Sequence, residues 1–222
     1  MSQPLFYNLI IQNQHVKGLA DACLLFLRHP LSALRKKENL KESRRTTISP
    51  FRSELKMMDV IKQQYELVKM TRELFFRYCE TLKNEDYCKE LEGFGWGSIR
   101  NLHVHVAECY ESWLGRFAFK EENVLINSRE ASDVKEVREL FQQVDQLAAR
   151  FLEEFGREYN RKLKGRVSWQ GEDEELTVLW LITHTMTHEF HHKGQAVSMG
   201  RKLGYLPPDT DLIPPEEYEK LL

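Results

Sequence analysis

Apolar residues recur at steps of three, four or seven along three long segments of the 222-residue sequence. Side chains at this spacing lie on one face of a helix, so each segment predicts a helix with a single buried stripe. The stripes run from Ile61 to Leu82, from Ile99 to Phe117 and from Val137 to Phe155. A fourth segment, ending near Lys202, is apolar nearly all round between Leu176 and Ile182, which is typical of a helix buried on several sides. Four long helices without a clear strand pattern predict an all-α four-helix bundle.

The predicted helix boundaries follow from capping and helix-breaking residues. Ser98 is the predicted N-cap of the second helix, and Ser132 or Asp133 opens the third. The remaining boundaries are an end of the third helix at 164–166, a short extended piece at 167–169, a fourth-helix start at 172–174, and a stop at Gly204 before Pro207 and Pro208.

The first 56 residues differ in charge from the rest of the chain. Arg28 to Lys56 contain nine lysines and arginines against three acidic residues, whereas residues 57–222 carry a net charge of −8. The middle of this extension has almost no apolar periodicity, which indicates a linker-like, disordered segment. We therefore expect a bundle domain over residues 57–222 and a basic extension without a fold of its own over residues 1–56. A basic arm for an acidic partner and a natural start at Met57 or Met58 are the alternatives.

Composition and net charge exclude several classes of protein. No apolar run approaches the roughly 20 residues that a membrane helix needs. A net charge of −2 lacks the basic excess that is typical of nucleic-acid-binding proteins. Cys23, Cys79, Cys88 and Cys109 lie far apart with no CxxC pair, which is typical of free thiols in a reducing compartment. We therefore expect a cytoplasmic protein that binds neither a membrane nor nucleic acid.

Six of the eight histidines fall in two clusters on predicted helices. Residues four apart share one helix face, so His184, His188 and His192 form a column on the fourth helix, with His191 beside it. Imidazoles one turn apart can bind one cation at about 2.0–2.1 Å, and a third from a facing helix would leave an open position for water or substrate. Neutral nitrogen ligands suit zinc, nickel, copper or iron better than magnesium or calcium.

The third imidazole would come from the second helix, which carries His103 and His105. These two residues lie on opposite flanks of the stripe that runs from Ile99 to Phe117. Helical geometry therefore does not choose between them, since either side chain could reach a neighbouring helix.

The segment His188-Glu189-Phe190-His191-His192 also has the HExxH pattern of zinc proteases, in which Glu189 would act as the base. A third ligand would then come from Glu216, Glu217 or Glu219. Two observations disfavour this interpretation. No predicted edge strand could hold an extended peptide, and the histidine pair on the second helix would have no role.

Three groups of residues carry a resemblance to a known family. The second helix reads His105-Val-Ala-Glu108 with Trp113 following, and the fourth reads His184-Thr-Met-Thr-His188-Glu-Phe-His191-His192-Lys-Gly-Gln195. The tail contains Leu203-Gly204, then Leu206-Pro207-Pro208-Asp209 and Asp211-Leu212. Over residues 57–213 the chain resembles the DinB/YfiT-like superfamily of metal-dependent four-helix-bundle proteins.

The resemblance implies an up-down-down-up bundle with a divalent metal held by His105, His188 and His192. Glu108 and Trp113, which follow His105 as in the family pattern, favour it over His103. His184 would be a reserve ligand, and His191, Lys193 and Gln195 would have supporting or packing roles. The expected metal is zinc or nickel, with manganese or iron as alternatives. The second histidine at 103 and the first 56 residues have no counterpart in the family.

The activity that the resemblance implies is transfer of a low-molecular-weight thiol, such as bacillithiol or mycothiol, to an electrophilic substrate. Glu189 and Glu108 are the candidate catalytic residues. Two alternatives stay open: a stress-related metal-binding protein without turnover, and a hydrolase that uses metal-bound water with Glu189 or Glu108 as base. A homodimer through Trp113, Phe117 or Phe119 is also expected, although the first two residues fit core positions better.

Overall fold

The computed structural model describes residues 50–122, 124–125, 130–167 and 172–212. These residues are mostly helical. The helices are α1 (Pro50–Glu80), the short α2 (Asn84–Tyr87), α3 (Ile99–Tyr110), α4 (Val134–Phe155) and α5 (Val178–Lys202), and a π-helical segment, Glu111–Phe119, continues α3 directly. Two short strands, β1 (Lys162–Arg166) and β2 (Asp173–Thr177), lie between α4 and α5.

Polar side chains fix the starts of the three long helices that follow α2. The Ser98 hydroxyl accepts a hydrogen bond from the backbone N–H of Asn101, and Asp133 accepts one from Glu136. Ser98 was predicted from the sequence, and Asp133 is one of the two residues predicted to open its helix; both satisfy a backbone donor that the first helical turn leaves unpaired. Thr177 caps α5 in the same way, and Gly204, with φ of +92°, follows its last turn as predicted.

The stretch between α4 and α5 differs from the sequence prediction. α4 ends at Phe155, before residues 164–166, and α5 begins at Val178, after residues 172–174. The intervening residues form an antiparallel pair in which Lys162 lies opposite Thr177 and Arg166 opposite Asp173. Opposite charges face each other across it, with Lys162 near Glu175 and Lys164 near Asp173. This cross-strand complementarity favours pairing over a helical start at the acidic residues.

The predicted apolar stripes form the core. Every position in the three stripes is buried, and α3 packs against both α4 and α5 while α1 contacts the same two helices. Phe117 and Trp113 belong to this core, and Phe119 packs against it through ring contacts with Phe151 and Phe155. These contacts favour core roles for the three aromatic residues named as dimer candidates.

The approach of α1 to α5 depends on a glycine. A Cβ atom at Gly200 would collide with the side-chain hydroxyl of Tyr78, which is itself buried and unpartnered. The Tyr78 side chain therefore occupies the space that a side chain at position 200 would need.

Several predictions fall partly or wholly outside the described residues. These include Cys23, most of the basic extension, Ser168 and Trp169 of the extended piece, and the proposed protease ligands Glu216, Glu217 and Glu219. α1 begins at Pro50, upstream of the boundary predicted at Met57. Cys79, Cys88 and Cys109 are free thiols. None of the helices in the described residues has the length and apolar character needed to cross a membrane.

Candidate metal centre

The packing of α3 on α5 brings histidines from the two helices together. His105 lies on the flank of α3 that faces α5, and His188 and His192 stand one turn apart on α5. The ring centroid of His105 is 4.8 Å from that of His188 and 4.7 Å from that of His192. One potential ligand atom from each side chain lies within 4.8 Å of the other two, so these residues could hold a metal ion.

The shortest distance in this group separates two nitrogen atoms. His188 Nε2 lies 3.0 Å from His105 Nε2. A tetrahedral ion with metal–nitrogen bonds of about 2.0–2.1 Å would hold its ligand nitrogens about 3.3 Å apart. The observed spacing is therefore close to what one shared cation requires.

Burial keeps these imidazoles neutral at physiological pH. It lowers the pKa of His105 to about 4, with His192 contributing repulsion, and lowers that of His188 to about 3, with His192 and His105 as the nearest repelling rings. The pKa of His192 is also lowered by burial, against the opposing effect of its hydrogen bond to Gln195. A neutral imidazole has a lone pair for a metal, so the three side chains are in the ligand-competent state.

Gln195 fixes the orientation and tautomer of His192. The Oε1 atom of Gln195 can only accept, so His192 Nδ1, at 2.8 Å, must donate to it. The remaining nitrogen of His192, Nε2, then keeps its lone pair. The amide nitrogen of Gln195 donates in turn to His191 Nε2 at 3.1 Å. These contacts fit the supporting roles predicted for His191 and Gln195, because such partners orient metal-binding imidazoles.

A partly exposed tryptophan stacks on the ring of His105. The Trp96 ring stacks on the His105 ring at 3.8 Å and 19°, and Trp96 remains 39% exposed. Trp96 precedes the capped start of α3, and its carbonyl accepts a hydrogen bond from the Asn101 side chain. The indole therefore limits the rotation of the His105 ring.

His103 lies in a different environment, although it is only two residues away. Its ring is buried among aromatic side chains, 5.1 Å from Phe75 and 5.2 Å from Phe76, and Nδ1 is 2.8 Å from the Tyr87 hydroxyl. Burial, with a smaller contribution from Arg72, lowers its pKa to about 3. His103 belongs to neither group of metal-competent side chains found in the described residues. Of the two histidines that helical geometry left as alternatives, His105 thus lies in a group that could hold a metal ion, because its flank of α3 faces α5.

The carboxylate of Glu189 is held in a buried polar network. Arg72 donates to it from Nε at 2.7 Å and from Nη2 at 2.9 Å, and the Tyr110 hydroxyl donates at 2.8 Å. Arg72 also donates to Asp145 at 2.6 Å, and Asp145 accepts from Tyr65 as well. Both oxygens of Glu189 are therefore engaged by Arg72 and Tyr110, in an arrangement that links α1, α3, α4 and α5.

A second set of side chains adjoins the first and shares His188. Cys109, at the end of α3, and His184, one turn before His188, place their ligand atoms within 4.8 Å of one another and of His188. The His184 ring stacks on Trp180 at 4.7 Å and 13°. An open groove of about 420 Å³ runs along this part of α5 and is lined by Thr177, Leu179, Trp180, Thr183, His184 and Thr187.

Comparison with protein-family models places the sequence in a known group. The model of the DinB family matches residues 57–220, which is most of the chain. The chain belongs to the DinB family. Comparison with curated protein sequences finds no significant match. DinB proteins generally bind metal, and the histidine groups of this DinB chain are consistent with that property.

The DinB chain brings together the three predicted ligands, His105, His188 and His192, and it places His184 one turn away. Glu189 lies in the ion-pair network instead, and Glu108 is half-buried on α3 with interactions of its own. Sequence reasoning missed the roles of Arg72 and Cys109. An arginine inside an apolar stripe was the available signal for the first, since a buried guanidinium requires a buried acidic partner.

Proposed function

We propose that this DinB chain binds a divalent transition metal, zinc or nickel, through His105, His188 and His192 and uses it to transfer a low-molecular-weight thiol to an electrophilic substrate. The observation that carries the proposal is the 3.0 Å separation of two neutral imidazole nitrogens from different helices. Two lone pairs this close repel unless a proton or a cation lies between the nitrogens. A third imidazole, His192, whose ligand atom lies within 4.8 Å of both, favours the cation. Manganese and iron are the alternatives.

The donor set fits the expected chemistry. Three neutral nitrogens form the ligand set of catalytic rather than structural zinc sites, because they leave one coordination position open. When bound, such a cation stabilises a thiolate, the nucleophilic form of a thiol, at neutral pH. Since His103 is turned into the core, no fourth histidine from α3 would fill the open position.

The surrounding residues would orient the ligands and admit the substrate. Gln195 holds the tautomer of His192, and Trp96 limits the His105 ring. The open groove beside His184 offers an aromatic wall, Trp180, and three threonine hydroxyls for a substrate of moderate size. In the transfer step the thiolate sulfur forms a bond to the electrophilic carbon, and the leaving group departs from that carbon with the bonding electron pair. The thiol proton passes to solvent.

Glu189 as the catalytic base stays a prediction that the geometry does not favour. Its two oxygens already accept three hydrogen bonds from Arg72 and Tyr110, so neither oxygen is left without a partner to take a proton from a substrate. We propose instead that Glu189 fixes the rotation of α5 and so positions His188 and His192. The same contacts count against a hydrolase of the HExxH type. Glu108 as a base also stays a prediction.

The experiment combines metal analysis with thiol conjugation. Protein purified without chelator is expected to contain about one zinc or nickel ion per chain and to conjugate a panel of low-molecular-weight thiols to a model electrophile. His188→Ala and His192→Ala should lose both properties, whereas the matched control His103→Gln should keep them. Conjugation that survives in the two alanine variants would overturn the proposal. Stoichiometric metal without conjugation would indicate a binding protein without turnover.

We also infer that the helices run up-down-down-up. Contacts between α1 and α5 advance in the same direction along both helices, from Arg72 with Glu189 to Tyr78 with Gly200, which supports a parallel pair. For α1 and α4, the contacts Tyr65–Asp145 and Glu80–Arg138 move forward along α1 but backward along α4, which supports an antiparallel pair. For α3 and α5, the contacts His105–His192 and Cys109–His184 do the same. A cytoplasmic location and a homodimer stay predictions.

A further inference from the structure

Cys109, His184 and His188 form a group with different chemistry from the three-histidine group. Cys109 is buried at 7% exposure, while His184 and His188 are half-buried, and the sulfur and two nitrogens lie within 4.8 Å of one another. Cys79 and Cys88, the other described cysteines, belong to no such group. A thiol that meets two imidazoles from a facing helix has the residue types of a metal site.

The distances are close to those of a coordinated ion. With metal–sulfur and metal–nitrogen bonds of about 2.3 and 2.05 Å, a tetrahedral ion would hold sulfur about 3.6 Å from each nitrogen. Since the ligand atoms lie within 4.8 Å of one another, they would close in by at most about 1.2 Å, a shift that small side-chain rotations can supply. Imidazole rings on α5 can make this adjustment with the backbone fixed.

Aromatic rings surround this group and set its preference. Trp113 hydrogen-bonds to Cys109 and lies 5.2 Å edge-on from His184, whose other face stacks on Trp180. The three side chains supply sulfur and nitrogen rather than the oxygen ligands that hard cations such as Mg²⁺ or Ca²⁺ prefer, so we expect weak binding of those ions. Thiolate together with imidazole selects soft, thiophilic ions.

We propose that Cys109, His184 and His188 form a second cation position, which takes thiophilic ions such as Cu⁺ or Cd²⁺ and competes with the three-histidine group for His188. A neutral imidazole has one lone pair, so His188 can bind only one cation at a time. Occupancy of the second position releases the thiol proton of Cys109 to solvent as the sulfur–metal bond forms. The shared residue makes the two positions alternatives rather than a two-metal site.

The test uses Cd²⁺ as the probe and the ultraviolet absorption that arises from charge transfer between thiolate and Cd²⁺. The full-length wild-type chain should develop this absorption with about one Cd²⁺ per chain, and Cys109→Ser should lose it. The matched variants Cys23→Ser, Cys79→Ser and Cys88→Ser should retain it. Absorption that persists in Cys109→Ser but disappears in one of the other three would overturn the proposal, and so would its absence from the wild type at saturating Cd²⁺.

Two further variants keep the result independent of folding and of the proposed transferase. His184→Ala changes only a half-buried ring, and it should weaken Cd²⁺ binding by at least about tenfold, because loss of a partner outside the ligand shell already costs 10- to 100-fold. His105→Ala removes a ligand of the other group alone, so it should retain the absorption. Equal affinity in His184→Ala and wild type, or loss of the absorption in His105→Ala, would contradict the assignment even if the thiol transferase activity is real.

Discussion

The two flanks of α3 carry chemically identical residues with opposite roles. His103 faces an aromatic core and has one hydrogen bond, to Tyr87, while its Nε2 atom is buried without a partner. His105 faces α5 and has another imidazole nitrogen at 3.0 Å. Burial depresses the pKa of both rings, so the difference is not one of charge. The difference between the two histidines lies in the groups that face each ring: aromatic side chains for His103 and another imidazole for His105.

This comparison indicates that the helix opposite, rather than the neighbouring residues in sequence, determines whether a histidine can join a group able to hold a metal ion. The core flank offers His103 phenyl rings and a tyrosine hydroxyl, which hold a neutral ring in place. The α5 flank offers His105 two further lone-pair donors, and neutral lone pairs that point at one another repel unless a proton or a cation lies between them.

The comparison is tested most strongly by removing His188. His188→Ala deletes a ligand from both metal-competent groups, so we expect loss of stoichiometric metal by elemental analysis. His103→Gln, on the other flank, should retain the wild-type metal content. Metal retained in His188→Ala would contradict a metal site on the α5 flank. Metal lost in His103→Gln would contradict a purely structural position for His103.

The ion pair beneath the α5 histidines should give the next largest effect. Arg72→Met leaves the buried carboxylate of Glu189 without its cation, and breaking a buried pair in this way costs about 3–5 kcal/mol of unfolding free energy. Arg77→Met is the matched control, because its pair with Glu73 is only partly buried, and pairs that remain in contact with solvent contribute about 0–1 kcal/mol. Denaturant titrations of both variants measure the difference. Equal losses would show that the Arg72 network is not a special support for α5.

Acid should weaken the fold through the core flank. Because the pKa of His103 is about 3 in the folded chain and about 6.5 when unfolded, the unfolded state binds an extra proton as pH falls below 6.5. At pH 5 this linkage removes about 2 kcal/mol of stability relative to pH 7.5. The unfolding free energy is measured at pH 7.5 and at pH 5 for the metal-free wild type and for His103→Gln. The loss between the two pH values should be larger in the wild type by this amount. An identical pH dependence would contradict a neutral, buried His103.

The smallest effect concerns the support of a ligand on the α5 flank. Gln195→Ala removes the acceptor that holds the His192 tautomer, and we expect metal affinity to fall about tenfold without loss of the site. Competition with a chromophoric chelator measures the change. Ser198→Ala, one turn from Gly194 on the same helix, serves as control and should leave the affinity unaltered. A variant that binds as tightly as wild type would leave Gln195 without a positioning role.

Much of the fold could be predicted from local signals. The apolar stripes located the helices, and Ser98 and Asp133 marked two starts, because periodicity and N-caps depend on residues close together in sequence. The β1–β2 pair was missed because its cross-strand contacts form only after the chain turns back on itself. The π-helical continuation of α3 has no simple sequence pattern either.

The candidate site could be predicted only in part for the same reason. The i, i+4 histidines on α5 are readable from one segment, whereas the group around Cys109 depends on how α3 and α5 meet. His105 was selected over His103 by resemblance, and the packing of α3 supplies the physical reason. The engagement of Glu189 by Arg72 joins residues 117 positions apart, so a motif that spans five residues could not show it.

The missing side chain at Gly200 has a consequence for the histidine groups. Gly200 lies on the same rigid helix as His188 and His192, and it lets α1 come near enough for Arg72 to reach Glu189. Even a methyl group there would meet the hydroxyl and ring of Tyr78, so either that side chain or the contact between α1 and α5 would have to shift. A close contact made by the helix that carries His188 and His192 therefore rests on the smallest type of residue, about two helical turns beyond the nearer of these two histidines.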